Sequence, residues 1–168
     1  MQGSDQRDYA IDLFRQAYAS QMKGLYEEAL QLYARSIDAY PTAEAYTFRG
    51  WAYCHFGRID DAIEECKRAI EVDPEFGNPY NDIGAYLIAK GEPDAAIEWL
   101  ERAKSAPRYE PRHFPFMNLG RLYAEKGMVL KAIAEFEEAL RLAQCEGGDD
   151  NATASIRDQL RTLRASLN

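Results

Sequence analysis

The chain has 168 residues, 46% of them apolar, enough to bury a continuous core in one domain or one short solenoid. Its 28 acidic and 20 basic residues leave a formal charge of −8, which repels a phosphate backbone at long range and argues against nucleic acid as a partner. No run approaches the roughly 18 apolar residues of a membrane span, and the first residues lack the basic start and apolar stretch of a secretory signal, so a cytoplasmic location is expected.

Glycine and proline punctuation predicts helices over 6–23 and 26–39, 43–56 and 60–72, 78–90 and 93–105, and 112–126 and 129–144. Pro41 and Pro74 close the first two pairs, while Pro79 and Pro93 suit first-turn positions. Two prolines within 105–111 prevent helix continuation and imply a longer loop, read as an insert and not as a domain boundary. The segment 146–151 breaks the chain again and offers acidic caps to a ninth helix over about 152–167. In that helix Ile156, Leu160, Leu163 and Leu167 form one apolar stripe on a polar rod, as a capping helix docked on the last pair requires.

Aligned on itself, the chain repeats. Ala17, Gly50, Gly84 and Gly120 fall in one column and Gly24, Gly57, Gly91 and Gly127 in another, at steps of 33, 34 and 36 residues. The same steps carry Ala29 to Ala62, Ala96 and Ala132, then Tyr33 to Cys66, Leu100 and Phe136, then Ser36 to Ala69, Ala103 and Ala139. Glycines of the second column suit left-handed helix ends. Those of the first column lie inside helices, where Gly costs about 1 kcal/mol relative to Ala, so close helix approach is expected to compensate. Each unit reads as a helical hairpin.

These columns resemble the tetratricopeptide repeat over about 10–144. The fourth unit has Phe116-x2-Leu119-Gly120-x2-Tyr123 and Ala132-x3-Phe136. The second has Tyr46-x2-Arg49-Gly50-x2-Tyr53, Ala62-x3-Cys66 and Pro74. The third has Tyr80-x2-Ile83-Gly84-x2-Leu87 and Ala96-x3-Leu100. The first departs most, with Leu13-x2-Gln16-Ala17-x2-Ser20 before Ala29-x3-Tyr33 and Pro41. The resemblance implies an all-α, right-handed superhelical solenoid of four hairpins, about 10–42, 43–76, 77–111 and 112–145, plus the capping helix, as a single domain over 1–168.

The resemblance also implies that the first helix of each hairpin lines a concave surface that holds a partner peptide or helix. Carried onto this sequence, the wall includes Ile11, Phe14, Tyr18, Gln21, Thr47, Trp51, His55, Asn81, Ile88, Met117 and Arg121. The residues expected to touch a ligand are Phe14, Tyr18, Trp51, His55, Asn81, Ile88, Met117, Asn118 and Arg121, with the two asparagines orienting a bound backbone. Cochaperones of this family clamp a terminal carboxylate with Lys and Asn. Phe14, Tyr18, Phe48, Asn78 and Asp82 occupy those places here, so an apolar or amphipathic segment is favoured over an acidic chaperone tail.

No catalytic residue, cofactor or metal ligand is expected. His55 and His113 have no carboxylate or cysteine at ligand spacing, and the sequence shows neither a nucleophile elbow nor a phosphate-cradling glycine loop. Cys54, Cys66 and Cys145 are odd in number and form no CxxC pair, so free thiols are expected. The leading reading is an adaptor or scaffold. The alternatives are a weakly self-associating structural repeat protein, or an assembly factor for a secretion or pilus machine, because the long third loop followed by Asn118-Leu119-Gly120 is similar to pilus-pilotin repeat proteins.

Overall fold

The computed structural model describes residues 3–145, 147 and 150–167. Nine helices run through them: α1 (Gly3–Met22), α2 (Tyr26–Ala39), α3 (Ala43–His55), α4 (Ile59–Val72), α5 (Asn78–Ala89), α6 (Pro93–Ser105), α7 (His113–Glu125), α8 (Val129–Cys145) and α9 (Asp150–Ala165). The predicted bounds agree with these to within three residues. Half of the break expected at 146–151 lies outside the described residues, since 146, 148 and 149 are not among them.

Four tight turns close the hairpins in the same way. At Gly57 the backbone takes φ +72°, its N–H donates to Cys54 O at 2.9 Å, and the Arg58 N–H donates to Tyr53 O at 3.1 Å. This is the double hydrogen bond of a left-handed helix end, and it recurs at Gly24, Gly91 and Gly127. Thr42 starts α3 by accepting from the Ala45 N–H at 3.2 Å.

Within each hairpin the two helices pack along their length, and each second helix also packs on the first helix of the next hairpin. The odd-numbered helices therefore form an inner layer and the even-numbered ones an outer layer. The small-residue column lets the layers approach. A Cβ on Gly84 would sit 2.6 Å from Leu100 Cγ, and one on Gly50 would sit 3.2 Å from Ala62 O. One core cluster runs from α3 to α7 through Ala62, Cys66, Ile83, Leu87, Leu100, Leu119 and Leu122.

Two departures from the repeat pattern have local explanations. Arg49 stands where a leucine is usual, and its Nε donates to the buried Glu65 carboxylate at 2.7 Å. The extra residues before α7 form a strap. Gly77 N–H donates to Arg108 O at 2.8 Å and Arg108 N–H to Glu75 O at 3.1 Å, while the Arg108 guanidinium reaches Glu44 and Asp73. Arg108 holds the Asp73 carboxyl below the usual carboxylate range.

α9 packs on α8 and adds Ile156 and Leu160 to a cluster with Met117, Phe136, Ala139 and Ala143. It takes the place a further inner helix would occupy.

Two stability predictions follow from these contacts. Gly84→Ala should cost about 1–3 kcal/mol, because Leu100 is fully buried and must shift to admit a methyl group. Ile156→Ala should cost about 2–5 kcal/mol by leaving a cavity under α9. Urea unfolding checks both, and a midpoint unchanged by Gly84→Ala would contradict the close approach.

Candidate functional site

The inner wall is made by α1, α3, α5 and α7, and its chemistry changes from seam to seam. Between α1 and α3 the seam is aromatic. Phe48 meets Phe14 and Tyr18 edge-on, each with ring centroids 5.4 Å apart, and Trp51 lies 4.5 Å from Phe48. Tyr18 remains 41% exposed. Phe14 also lines a cavity of about 290 Å³ that opens between Arg7, Ile11, Thr42 and Glu44.

Between α3 and α5 the seam is a hydrogen bond to a carboxyl group, in which the Trp51 indole N–H donates to Asp82 Oδ2 at 2.5 Å. Between α5 and α7 it is a neutral amide pair, with Asn118 Nδ2 donating to Asn81 Oδ1 at 2.9 Å. Phe48, Asp82 and Asn118 occupy the same place in successive hairpins, at steps of 34 and 36 residues. The groove is therefore graded from apolar through anionic to neutral polar.

Burial pushes the Asp82 carboxyl up to about 7, against the opposing hydrogen bonds from Trp51 and Asn81. Burial and the nearby Asp82 charge raise the Cys54 and Cys66 thiols as well, which makes them poor nucleophiles.

The sequence-predicted wall residues fall into distinct settings. Phe14, Tyr18 and Trp51 converge on Phe48. Asn81 and Asn118 bind each other. His55 is exposed but lies flat on Tyr26 of the outer layer, with centroids 3.5 Å apart. Ile88 packs against the central core cluster, and Arg121 is exposed. Met117 differs from expectation. α9 adds a layer over the last hairpin and leaves Met117 only 6% exposed, packed with Phe136 and Ile156. Gln21 and Thr47 are also buried, the first accepting from Tyr33 OH at 2.9 Å and the second donating to Ala43 O at 2.8 Å.

Phe48 and Asp82 enter the site where sequence reasoning used them only to exclude a cationic clamp. Their signal was the shared column with Asn118, which lies two residues before the Gly50, Gly84 and Gly120 column and changes its chemistry at every repeat.

A wall of inner helices with an open face, backed by outer helices, defines the class of helical-repeat solenoids. Family models described as "Tetratricopeptide repeat" match residues 14–82 and 116–144, more than half of the chain. The chain belongs to the tetratricopeptide repeat family. It is 32% identical over 78 residues to small glutamine-rich tetratricopeptide repeat-containing protein 2 of Mycosarcoma maydis, covering 46% of this chain and 22% of that relative. The chain thus spans under a quarter of that curated relative's length.

Among solved structures, pilF of Pseudomonas aeruginosa superposes with TM-score 0.80 at 21% identity, over 99% of this chain and 73% of that one. The second TPR of Spaghetti (RPAP3), bound to HSP90 peptide SRMEEVD, superposes with TM-score 0.58 at 21% identity, over 63% of this chain and 99% of that one. At these identities the likeness is one of fold.

Asp82 gives the wall a pH signature. Its carboxyl ionises near 7 when folded and near 3.9 when unfolded, so the folded chain holds the extra proton between those values and loses stability as pH rises through them. Between about pH 5 and about pH 8, the wild-type urea midpoint should fall by more than that of Asp82→Asn, which keeps an acceptor for Trp51 but cannot ionise. Parallel pH profiles for the two proteins would contradict this.

Proposed function

We propose that the chain is a protein-interaction adaptor that holds an apolar or amphipathic segment of a partner protein, helical or extended, along the inner wall of α1, α3, α5 and α7. The observation that carries this reading is the cluster of Phe14, Tyr18, Phe48 and Trp51 on the open face, with Tyr18 41% exposed and Phe14 lining a cavity of about 290 Å³. Clustered aromatics on a concave surface offer large contact area at low entropic cost, as binding hot spots do. Membership of the tetratricopeptide repeat family supports the same reading. The role is one of binding and not of catalysis, and a cytoplasmic setting is consistent with it.

An acidic chaperone tail fits this wall poorly. The neighbouring structure of Spaghetti holds a peptide ending in EEVD. Here the corresponding places carry Phe14, Tyr18, Phe48, Asn78 and Asp82, which supply no cation and one carboxylate. A like charge at the wall disfavours such a ligand.

Quantitative affinity capture from cells tests the proposal. A Tyr18→Ala, Trp51→Ala double variant that keeps its helical circular dichroism should lose its specific partners, because each truncated hot spot costs about 2 kcal/mol or more of binding. Retention of every partner at wild-type levels would show that the inner wall is not the binding surface.

A further inference from the structure

We infer that Asp82 is the receptor for a basic side chain, Lys or Arg, carried by the partner segment, so that the groove selects amphipathic segments with a cation following their apolar anchors. This deepens the groove reading and rests on it.

The fold pairs its other shielded carboxylates with cations. Glu65 is paired with Arg49 at 2.7 Å and Arg68 at 3.0 Å, and Glu135 with Lys104 at 3.0 Å, while the more open Asp73 pairs with Arg108. Asp82 is treated differently. Its hydrogen-bond donors are the neutral Trp51 indole and Asn81 amide. The groups facing it are Trp51 and Cys54 from α3, Cys66 from α4, and Asn81 and Tyr86 from α5. Glu65, also on α4, is already neutralised by its two arginines, and Asn118 of α7 reaches Asp82 only through Asn81. Among the described residues, no Lys or Arg forms an ion pair with Asp82.

A shielded carboxylate without a counter-ion is costly, and a ligand cation that supplies one recovers that cost on binding. The surroundings suit a cation in other ways. Asp82 is partly exposed on the inner wall, and Trp51, whose ring face can attract a cation, holds its carboxylate in place. The chain's charge of −8 steers basic segments toward it. The order of the seams sets the ligand's order: apolar residues over Phe14, Tyr18 and Phe48, the cation over Asp82, and neutral polar groups over Asn118.

Because the Asp82 carboxyl titrates near 7, a bound cation favours its ionised form. Binding of a basic segment therefore releases a proton near neutrality and tightens as pH rises through that value.

The test uses the full chain and three acetylated, amidated Leu/Ala amphipathic helical peptides, identical except for Arg, its neutral isostere citrulline, or Glu at one central position. Fluorescence anisotropy reads affinity, and the Trp51 indole N–H resonance, with or without peptide, reads the protonation of Asp82. At about pH 8 the Arg peptide should bind about tenfold tighter than the citrulline peptide and the Glu peptide more weakly than either. The Arg preference should shrink at about pH 6 and vanish in Asp82→Asn. On the wild-type chain, independently of any variant, the Arg peptide should move the pH midpoint of the Trp51 resonance downward and the citrulline peptide should not.

Equal wild-type affinity for Arg and citrulline peptides would overturn the assignment of Asp82 while leaving the groove standing. An Arg preference that survives in Asp82→Asn would likewise place the cation elsewhere. Failure of all three peptides to bind or to perturb Trp51 would overturn the groove reading and this one together.

Discussion

The structure depends on how near the two helices of each hairpin can come. At Gly84 a methyl group would sit 2.6 Å from Leu100, and at Gly120 it would meet the Phe136 ring at 3.0 Å. Ala17, fully buried, does the same duty in the first hairpin. The loss of helix propensity at the glycines, about 1 kcal/mol each, is offset by the burial that this approach allows, since Leu100 and Phe136 lie wholly out of solvent. With the helix pairs locked at that distance, the outward edges of α1, α3, α5 and α7 are committed to one face.

That commitment turns a repeat into a readable surface. The place after each wall residue recurs with the period of the fold, and whatever side chain it carries lands against the preceding inner helix. Phe48 meets Phe14, Asp82 meets Trp51, and Asn118 meets Asn81. A stack whose core is nearly uniform thereby acquires a directional gradient, and direction is what an adaptor needs to bind a segment in one register. The carboxylate at the centre of the gradient has its indole partner and no internal cation, and the fold withholds from it what it gives Glu65, Glu135 and Asp73.

The turn glycines and proline stops placed the eight hairpin helices because they act through local backbone chemistry, and the apolar stripe of Ile156, Leu160 and Leu163 placed the ninth. The groove was legible only in outline. Met117 obeys the wall's spacing but is covered by α9, and the docking site of α9 is not encoded in the repeat. Asn81 and Asn118 carry the donor and acceptor groups a bound backbone would use, yet they spend one pair on each other across a gap of 37 residues, a pairing that needs the helix spacing to be known. Arg49 stands where the repeat usually has a leucine, and its partner Glu65 lies 16 residues away on α4. Gly77 has no place in the repeat pattern, and its need is tertiary: a Cβ there would stand 2.5 Å from Tyr109 of the strap.

A partner held by this fold should lie against the inner wall. Site-specific photo-cross-linking answers it directly, with a photoreactive residue placed in turn at Tyr18 and Arg121 on the inner helices and at Lys67 and Glu98 on the exposed surface of the outer ones. The account predicts adducts with a common partner segment from positions 18 and 121 and none from 67 and 98. Adducts confined to 67 and 98 would contradict it.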